Sequence, residues 1–428
     1  MTNRFAIALS LALAPAMLVA QAPAPEYQIY GGSTHAHTSH TWSHGAHLDT
    51  NGCKGILVYG PDKDSPDAFS WTKGYVTGDG CPAIYVVNGA QLPAPGVTVK
   101  ADWQEHQGPP SEHYRLAKKA GYDFYVTADH SKEAGFQPPA ADNPQWMAAK
   151  QQAADATVDG FVALAGFEYS ENDGPGGKGH FNVINADGIS NALAPGVDLP
   201  AFYEWLGKAR TNGEGPVVAT FNHPGPDQYA DWAGRTPEAT EVLTMLEVIN
   251  SNRRIHYEGF LSALDHGWKV SPVAGNDNHG TRSIATNTAR TFVLATEPTK
   301  AAILDGMKNR RTYAAMDRNL ECRYAVNGAV MGSTLNKPDE LRFDILVSDP
   351  DLDDPREKIT KIDIVKDDGA VVEEFTPKAA YTVRWQPEIR DAEAKYFFVR
   401  VWTAGGGDAE GADPNDPTAW LAPVWTGR

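Results

Sequence analysis

The sequence predicts an α/β protein that ends in a smaller β-rich part. Three observations carry this reading. From about residue 111 to 315, short apolar runs alternate with helical segments, as in a parallel α/β barrel or an open sheet. After about residue 315 the pattern becomes apolar–polar alternation broken by Asp-Gly turns. In the first part the apolar runs end in His, Asp or Glu, and α/β enzymes build their sites at that end of the strands.

Residues 23–30 are a Pro/Ala-rich lead-in, and residues 31–45 hold a histidine cluster. Residues 46–110 are rich in Gly, Pro, Asp and Asn, with one strand expected at Ile84 to Asn88; they read as a long insertion. SEHYRLAKKA is a helix with Ser111 as its expected N-cap and Gly121 as its stop. YDFYVTAD is a strand, 143–156 a helix with Pro144 near its start, and FVALAGFE (161–168) a buried strand. Strands are expected at 180–185, 217–221, 246–250, 270–275 and 290–294, and helices at 199–211, 256–266 and 299–309. LRFDILVSD, ITKIDIVKDDGAVVEEF and AKYFFVRVWTA then alternate like half-exposed strands. The expected division is a leader over 1–22, a catalytic part over 23–315 with the 46–110 insertion, and a β-rich part over 316–428.

The leader reading rests on Arg4 followed by an apolar run, Phe5 to Ala20, that is short for a membrane-spanning helix. Export into a bacterial periplasm is therefore expected, with an uncleaved anchor as the alternative and no stable membrane insertion after cleavage. A net charge of −17 disfavours a polyanionic partner such as nucleic acid. Of three cysteines, Cys53 and Cys81 bracket one Gly-rich stretch and are expected to pair; Cys322 is left over and expected to be buried. None lies in a CxxC motif, so a thiolate zinc site is unsupported.

Five of the thirteen histidines fall in THAHTSHTWSHGAH, residues 34–47. Further ligand-type residues end the apolar runs: Asp129 and His130 in VTADH, Glu168 in LAGFE, His223 in FNHPG, and Asp277 and His279 in GNDNH. His180 opens another in GKGHFNVIN. Imidazole and carboxylate suit Zn²⁺, Mn²⁺ or Fe. Alternate residues on an extended segment face one way, so His35 and His37 can share a side. One carboxylate such as Glu168 can bridge two ions. A lone His-x-His is weak evidence, and a low-affinity histidine tract is the bland alternative; joint placement at five strand ends is what favours a built site. His47, His106, His113, His256 and His266 are assigned to surface, core or insertion, and Asp129 to orienting its neighbour.

In this order, THAHTSHTWSHG, VTADH, LAGFE, FNHPG and GNDNH resemble the motifs of the PHP (polymerase and histidinol phosphatase) superfamily. Within it the chain is most similar to secreted CehA/McbA-type metallohydrolases, whose β-domain RTYAAM, VNGAVMGSTL and TAWLAPVW resemble. The resemblance implies a distorted (β/α)7 barrel followed by a small β-sandwich-like domain, and two or three divalent ions. His35 and His37 would share one ion with Glu168 and Asp277. Glu168 would bridge to a second, completed by His180 and His223, and His44, His130 and His279 would hold a third. His40 is the alternative to His44, and the aspartate common before the first histidine is replaced by Ser33-Thr34.

The chemistry implied is hydrolysis of a small-molecule ester by a metal-bound hydroxide, with Glu168, Asp277 and His223 as its central residues. His40, Lys132, Tyr169, Asn278 and Arg282 lie near ligands in sequence and are candidates to touch substrate. The first reading is a phosphoesterase acting on phosphomonoesters or small phosphodiesters. The second is a carboxylic, carbamate or aryl ester hydrolase, for which Trp42, Trp71, Trp103 and Trp232 offer aromatic walls. The third is a secreted, non-enzymatic metal-binding module. A cation beside the ligands favours the first and an apolar pocket the second. No G-x-S-x-G, P-loop or dinucleotide-binding glycine pattern is present.

Overall fold

The structure is a computed structural model. It describes residues 26–41, 108–170, 178–192, 194–409 and 411–428, and between them the backbone of five strands from 48 to 99. The leader, His44, His47, His106, Trp42, Trp103, Cys81 and the side chains of Cys53 and Trp71 lie outside the described residues. No described helix is long and apolar enough to cross a membrane.

In chain order the elements are β1 (Gln28–Ser33), β2 (Leu48–Thr50), β3 (Cys53–Gly60), β4 (Ser70–Thr77), β5 (Ile84–Val86), β6 (Thr98–Val99) and α1 (Pro110–Lys119). β7 (Phe124–His130), α2 (Pro144–Ala156), β8 (Val162–Ser170), β9 (His180–Ile184), α3 (Leu199–Lys208), β10 (Val218–Asn222) and α4 (Pro237–Val242) follow. Next come β11 (Leu243–Asn250), β12 (Arg254–Ile255), α5 (Tyr257–Asp265), β13 (Ser271–Gly275), α6 (Arg282–Thr286), β14 (Arg290–Ala295), α7 (Lys300–Lys308) and β15 (Thr312–Ala315). The chain ends in β16 (Glu321–Val326), β17 (Ala329–Val330), β18 (Leu341–Ser348), β19 (Ile359–Lys366), β20 (Ala370–Phe375), β21 (Thr382–Trp385), β22 (Glu388–Ile389), β23 (Tyr396–Thr403), β24 (Ala419–Leu421) and β25 (Val424–Trp425).

One large mixed sheet organises the α/β part, in the order β12-β11-β10-β9-β8-β7-β1-β14-β15, with β13 on β11. It is not wholly parallel as the strand–helix alternation suggested: β9 runs antiparallel to both β8 and β10, and β14 to β1. Chain length explains β9. Only nine residues, 171–179, join β8 to β9, whereas a parallel crossover takes a dozen or more. No ladder joins β13 to β1 among the described residues, but the segments beyond them are stitched together. The N–H groups of Asn276 and Asp277 donate to His35 O at 3.0 Å, and that of His37 to Asn278 O at 2.9 Å.

Two helix starts show how local chemistry sets the boundaries. Asn143 accepts from the N–H groups of Gln145 and Trp146 and starts α2, with Pro144 in its first turn. Ser111 is not the N-cap expected of it; α1 begins two residues earlier, after Pro109, because Pro110 takes a position that needs no N–H donor.

Strand parity decides what each face carries. Phe124, Val126 and Ala128 of β7, Val162 and Leu164 of β8, Ile184 of β9, Val218 of β10, Met245 of β11 and Val273 of β13 form one apolar core. Ile303, Leu304 and Met307 of α7 pack into it. The alternate residues form a second core with the other helices, including Tyr125, Phe167, Phe181, Phe202, Phe221 and Trp268. Followed along the strands at period two, the first face changes from apolar to polar. It reaches His130 on β7, Glu168 on β8, Asn182 and His180 on β9, Asn222 on β10 and Glu247 on β11.

The C-terminal strands continue the same sheet through β15-β24-β23-β19-β20. A second sheet, β17-β16-β18-β21 with β22, shares a core with it: Tyr324, Phe343 and Ile345 pack with Ile362, Ile364, Phe397 and Val399. β18 alternates buried and exposed residues along its length, as its sequence implied. Cys322 is buried in this core as a free thiol.

Candidate metal centre

The polar end of the strands gathers eight candidate ligands. His35 and His37 follow β1, His130 ends β7, Glu168 lies near the end of β8, and His223 follows β10. Asp277 and His279 follow β13. His180 arrives from the start of β9, because an antiparallel strand begins where its parallel neighbours end.

Glu168 is the hub. One carboxylate oxygen, Oε1, lies 3.1 Å from His180 Nδ1, 3.4 Å from His35 Nε2 and 3.7 Å from His223 Nε2. The other, Oε2, lies 3.0 Å from His130 Nε2 and 3.8 Å from His37 Nε2. Asp277 Oδ1 sits 3.0 Å from His37 Nε2 and 3.6 Å from His35 Nε2. Four sets have ligand atoms within 4.8 Å of one another: His35, His37 and Glu168; His35, His223 and Asp277; Glu168, His180 and His223; and His37, His130 and His279. In the last set His37 stands beside His130 and His279, where the sequence reading put His44.

The ring orientations are enforced from outside. Glu247 Oε1 lies 2.8 Å from His35 Nδ1, so a carboxylate that can only accept fixes that nitrogen as a donor. Thr41 Oγ1 donates to Asp129 Oδ1 at 2.7 Å, and so accepts from His37 Nδ1 at 3.2 Å and from His130 N at 3.1 Å. Asp129 also holds the N–H and hydroxyl of Thr38. It therefore positions His37 through Thr41. Glu133, 3.5 Å from His130 Nδ1, is the carboxylate beside His130. Asn222 Nδ2 donates to Glu168 Oε1 at 2.9 Å.

The donor chemistry fits divalent ions. With both Nδ1 atoms committed as donors, His35 and His37 turn their Nε2 atoms toward each other at 3.0 Å. Two imidazole lone pairs that close repel, and either a proton on one ring or a cation between them relieves the repulsion. Bonds of about 2.1 Å in a tetrahedral shell put neighbouring ligand atoms about 3.4 Å apart, and the separations here bracket that value. The set is all imidazole and carboxylate, which suits Zn²⁺, Mn²⁺ or Fe.

The electrostatics agree. Burial alone would raise the Glu168 carboxyl, but His180 and His35 outweigh it and hold it well below the usual carboxylate range. Burial likewise loses to His35 and His37 at Asp277, which lies far below its ordinary value. Burial disfavours charge on His35, yet Glu247, Asp277 and Glu168 push it up to about 10. His37 goes the other way: burial, then His279 and His130, keep it well below the ordinary imidazole value. The centre thus draws positive charge while offering a neutral ring.

His223 and Asp277 adopt left-handed backbone, φ 34° and 46°. Such residues are uncommon outside glycine and concentrate at functional sites. His223 is held by its N–H donating to Glu247 Oε2 at 2.9 Å.

The described cleft has a volume of about 510 Å³ and is lined by His130, Lys132, Glu168, His180, His223, Gln228, Arg254, His256, Asp277 and His279. Of the candidate substrate contacts, Lys132 lies on its wall. His40 is fully buried beside Phe136, Asn278 is tied to Tyr125 and Gly280, and Tyr169 stacks on Phe202 in the core. Arg282 is exposed on α6 and does not line the cleft. Trp232 is buried, donating to Pro226 O.

Sequence reasoning missed Glu247, Glu133, Arg254 and His256. Glu247 had a signal: a carboxylate inside the apolar strand LTMLEVIN must have partners. His256, assigned to surface, core or insertion, has its ring 6.3 Å from that of His223.

No family model matches the sequence, and no curated protein matches it. Among solved structures, the chain is similar to a two-domain protein containing a predicted PHP-like metal-dependent phosphoesterase from Bacteroides vulgatus ATCC 8482. The identity is 16%, the match covers 94% of this chain and 97% of that one, and the TM-score is 0.42.

Proposed function

We propose that this chain is an exported, metal-dependent phosphoesterase of PHP type, acting on phosphomonoesters or small phosphodiesters. The ordered ligand motifs and the four overlapping ligand sets support a di- or trinuclear centre of Zn²⁺, Mn²⁺ or Fe. We read β1, β7, β8, β9, β10, β11 and β13 as its distorted seven-stranded barrel, with the C-terminal sheets as the accompanying β-domain. Export is supported by the N-terminal apolar run.

The observation that carries the choice of substrate is the cleft wall. Lys132 and Arg254 stand on it beside the ligands, and among its described lining residues there is no aliphatic or aromatic hydrocarbon side chain. Neither cation ion-pairs with an acidic side chain among the described residues. Two uncommitted cations at the mouth of a histidine-lined site suit phosphoryl oxygens.

Divalent ions bound in such a centre supply a hydrolytic nucleophile near neutral pH and stabilise charge on the oxygens of the reacting group. The chain's residues do the rest. Glu168 spans the ligand sets, Glu247 and Thr41 fix the two leading imidazoles, Asp277 opposes His37, and Lys132 and Arg254 orient the anionic substrate.

The test is metal content of the purified protein together with hydrolysis of p-nitrophenyl phosphate, bis-p-nitrophenyl phosphate and p-nitrophenyl acetate. Two to three ions and chelator-sensitive turnover of a phosphate ester are expected. Turnover of the acetate alone would replace this reading with a carboxylic-ester hydrolase of CehA/McbA kind. Absence of both stoichiometric metal and turnover would leave a secreted binding module.

A further inference from the structure

A second group of ionisable side chains lies far along the chain from the histidines. Asp317 follows β15, Asp349 follows β18, Glu357 closes the short 3-10 turn Pro355–Glu357, and Asp408 lies in the loop after β23. The loops are Asp- and Gly-rich: SDPDLDDPRE and GGGDAEGADPNDP. One carboxylate oxygen from each of Asp317, Glu357 and Asp408 lies within 4.8 Å of the others.

The bonding of these carboxylates is lopsided. Asp317 Oδ1 accepts from the N–H groups of Asn319 and Leu320, and Asp349 Oδ1 from that of Asp351. Asp408 Oδ2 accepts from Arg318 N. The Asp317 and Asp349 oxygens anchor their own loops, and Asp408 Oδ2 ties its loop to the one after β15. Four other oxygens are different. Asp317 Oδ2, Asp349 Oδ2 and both oxygens of Glu357 are buried without a hydrogen-bond donor. Asp317, Asp349 and Glu357 are 1%, 0% and 1% exposed. Among the described residues no lysine or arginine forms an ion pair with any of the four; the nearby Arg356 is committed to Asp354 at 2.8 Å.

Burying one unpaired carboxylate is costly, and burying several together costs more. They need a proton or a cation. A proton shared between Glu357 and Asp317 would satisfy one of the donor-free oxygens gathered here and leave the others, whereas a hard ion can take several at once. Calcium takes six to eight oxygens at 2.3–2.6 Å, so oxygens across its shell lie up to about 5 Å apart. Separations of no more than 4.8 Å are compatible with that shell, whereas magnesium keeps several of its waters and is seldom held by an all-protein oxygen set. An all-oxygen set also separates this place chemically from the imidazole-rich centre.

We propose that Asp317, Glu357 and Asp408, with Asp349 beside them, form a calcium site that ties together the loops after β15, β18 and β23. The site is structural: it joins the end of the α/β part to the C-terminal sheets.

The test is calcium titration of the full-length protein, first passed over a chelating resin, read by calorimetry and by thermal unfolding. One calcium per chain is expected, with unfolding raised by about 3 °C at a hundredfold excess over Kd. Glu357→Gln, close to isosteric, should lose at least tenfold in calcium affinity and lose the thermal response. His180→Ala should keep both, which separates this site from the histidine centre. If Glu357→Gln fails to fold, Asp408→Asn gives the same reading from a less buried member. The proposal is overturned by no calcium heat or thermal response at millimolar calcium, or by a response that survives in Glu357→Gln. A variant melting above wild type equally with and without calcium would show a shared proton instead, and would also overturn it.

Discussion

Glu247→Gln isolates the positioning of the leading imidazole. The carboxylate receives three hydrogen bonds: His35 Nδ1 at 2.8 Å, His223 N at 2.9 Å and Asn250 Nδ2 at 3.1 Å. A glutamine has one acceptor oxygen and one NH2 group. If its oxygen faces His35, its NH2 confronts the two other donors; if it faces them, His35 Nδ1 loses its acceptor and turns free to present the wrong nitrogen. Groups that orient a metal-ligating histidine are worth about 10–100-fold in affinity, or about 1.4–2.8 kcal/mol. One or two buried donors left unpaired cost stability of about 1–3 kcal/mol each. Glu247→Ala would orphan all three donors and endanger folding, so the amide is the better probe. Competition against a chromophoric chelator reads affinity, and calorimetric unfolding reads stability. We expect the tightest-bound ion to weaken at least tenfold in a folded protein. Affinity within twofold of wild type, with the fold intact, would refute the assignment of Glu247 as the residue that sets His35.

Gly275→Ala should imitate that loss, since a Cβ there would meet Glu247 Oε1 at 1.9 Å and His35 Cβ at 2.7 Å; metal analysis of the variant checks it. Glu168→Ala should abolish turnover and remove more than one metal equivalent, and unchanged metal content would show that the carboxylate does not bridge. Replacing Lys132 and Arg254 by alanine should raise KM for a phosphomonoester about tenfold or more while leaving p-nitrophenyl acetate nearly unaffected, as steady-state kinetics would show. Burial, then the neighbouring carboxylates, raise Glu357 to about 8, Asp349 to about 7 and Asp317 to about 6. Raised folded-state values favour the protonated form, so this stabilisation is full below about pH 4 and is lost as pH rises toward 8. In a calcium chelator the melting temperature should therefore fall across that window, and calcium should flatten the fall; a chelated protein equally stable at pH 5 and 8 would contradict it.

The apolar runs and their polar ends were legible because strand parity and burial act on sequence directly. The residues from Phe124 to His130 and from Val162 to Glu168 carry both the core and the candidate ligands in one alternating pattern. The direction of β9 was less visible, since it depends on the length of the segment before it rather than on its own composition. The partners of the ligands were the least visible. Asp129 precedes His130, yet its contacts go to Thr38 and Thr41, some ninety residues earlier. Glu247 is separated from His35 by 212 positions. Sequence spacing can indicate a ligand's face, but it carries no information on which distant side chain closes the second hydrogen bond of its ring.

Backbone strain links the fold to the site. Among the described residues, thirteen non-glycine positions have positive φ, and eight of them lie in the loops after β10, β11 and β13: His223, Tyr229, Ala230, Asp231, Trp232, Ser251, Asn252 and Asp277. Left-handed backbone costs an L-residue about 1–2 kcal/mol, and four in succession at 229–232 are rarer still. These positions persist because polar ties over-determine them. Tyr229 OH donates to Asn222 O at 2.8 Å and lies 3.1 Å from His180 O, spanning β9 and β10. Asn252 Oδ1 accepts from the N–H groups of Thr288 and Ala289 and from the Thr288 hydroxyl. Asn250 Nδ2 lies 3.1 Å from both Glu247 Oε2 and Asp277 Oδ2, so the end of β11 braces the candidate ligand after β13. Strain concentrated at one end of the sheet, and offset there by buried hydrogen bonds, is what a site requires when its ligand atoms must be held in place before any ion arrives.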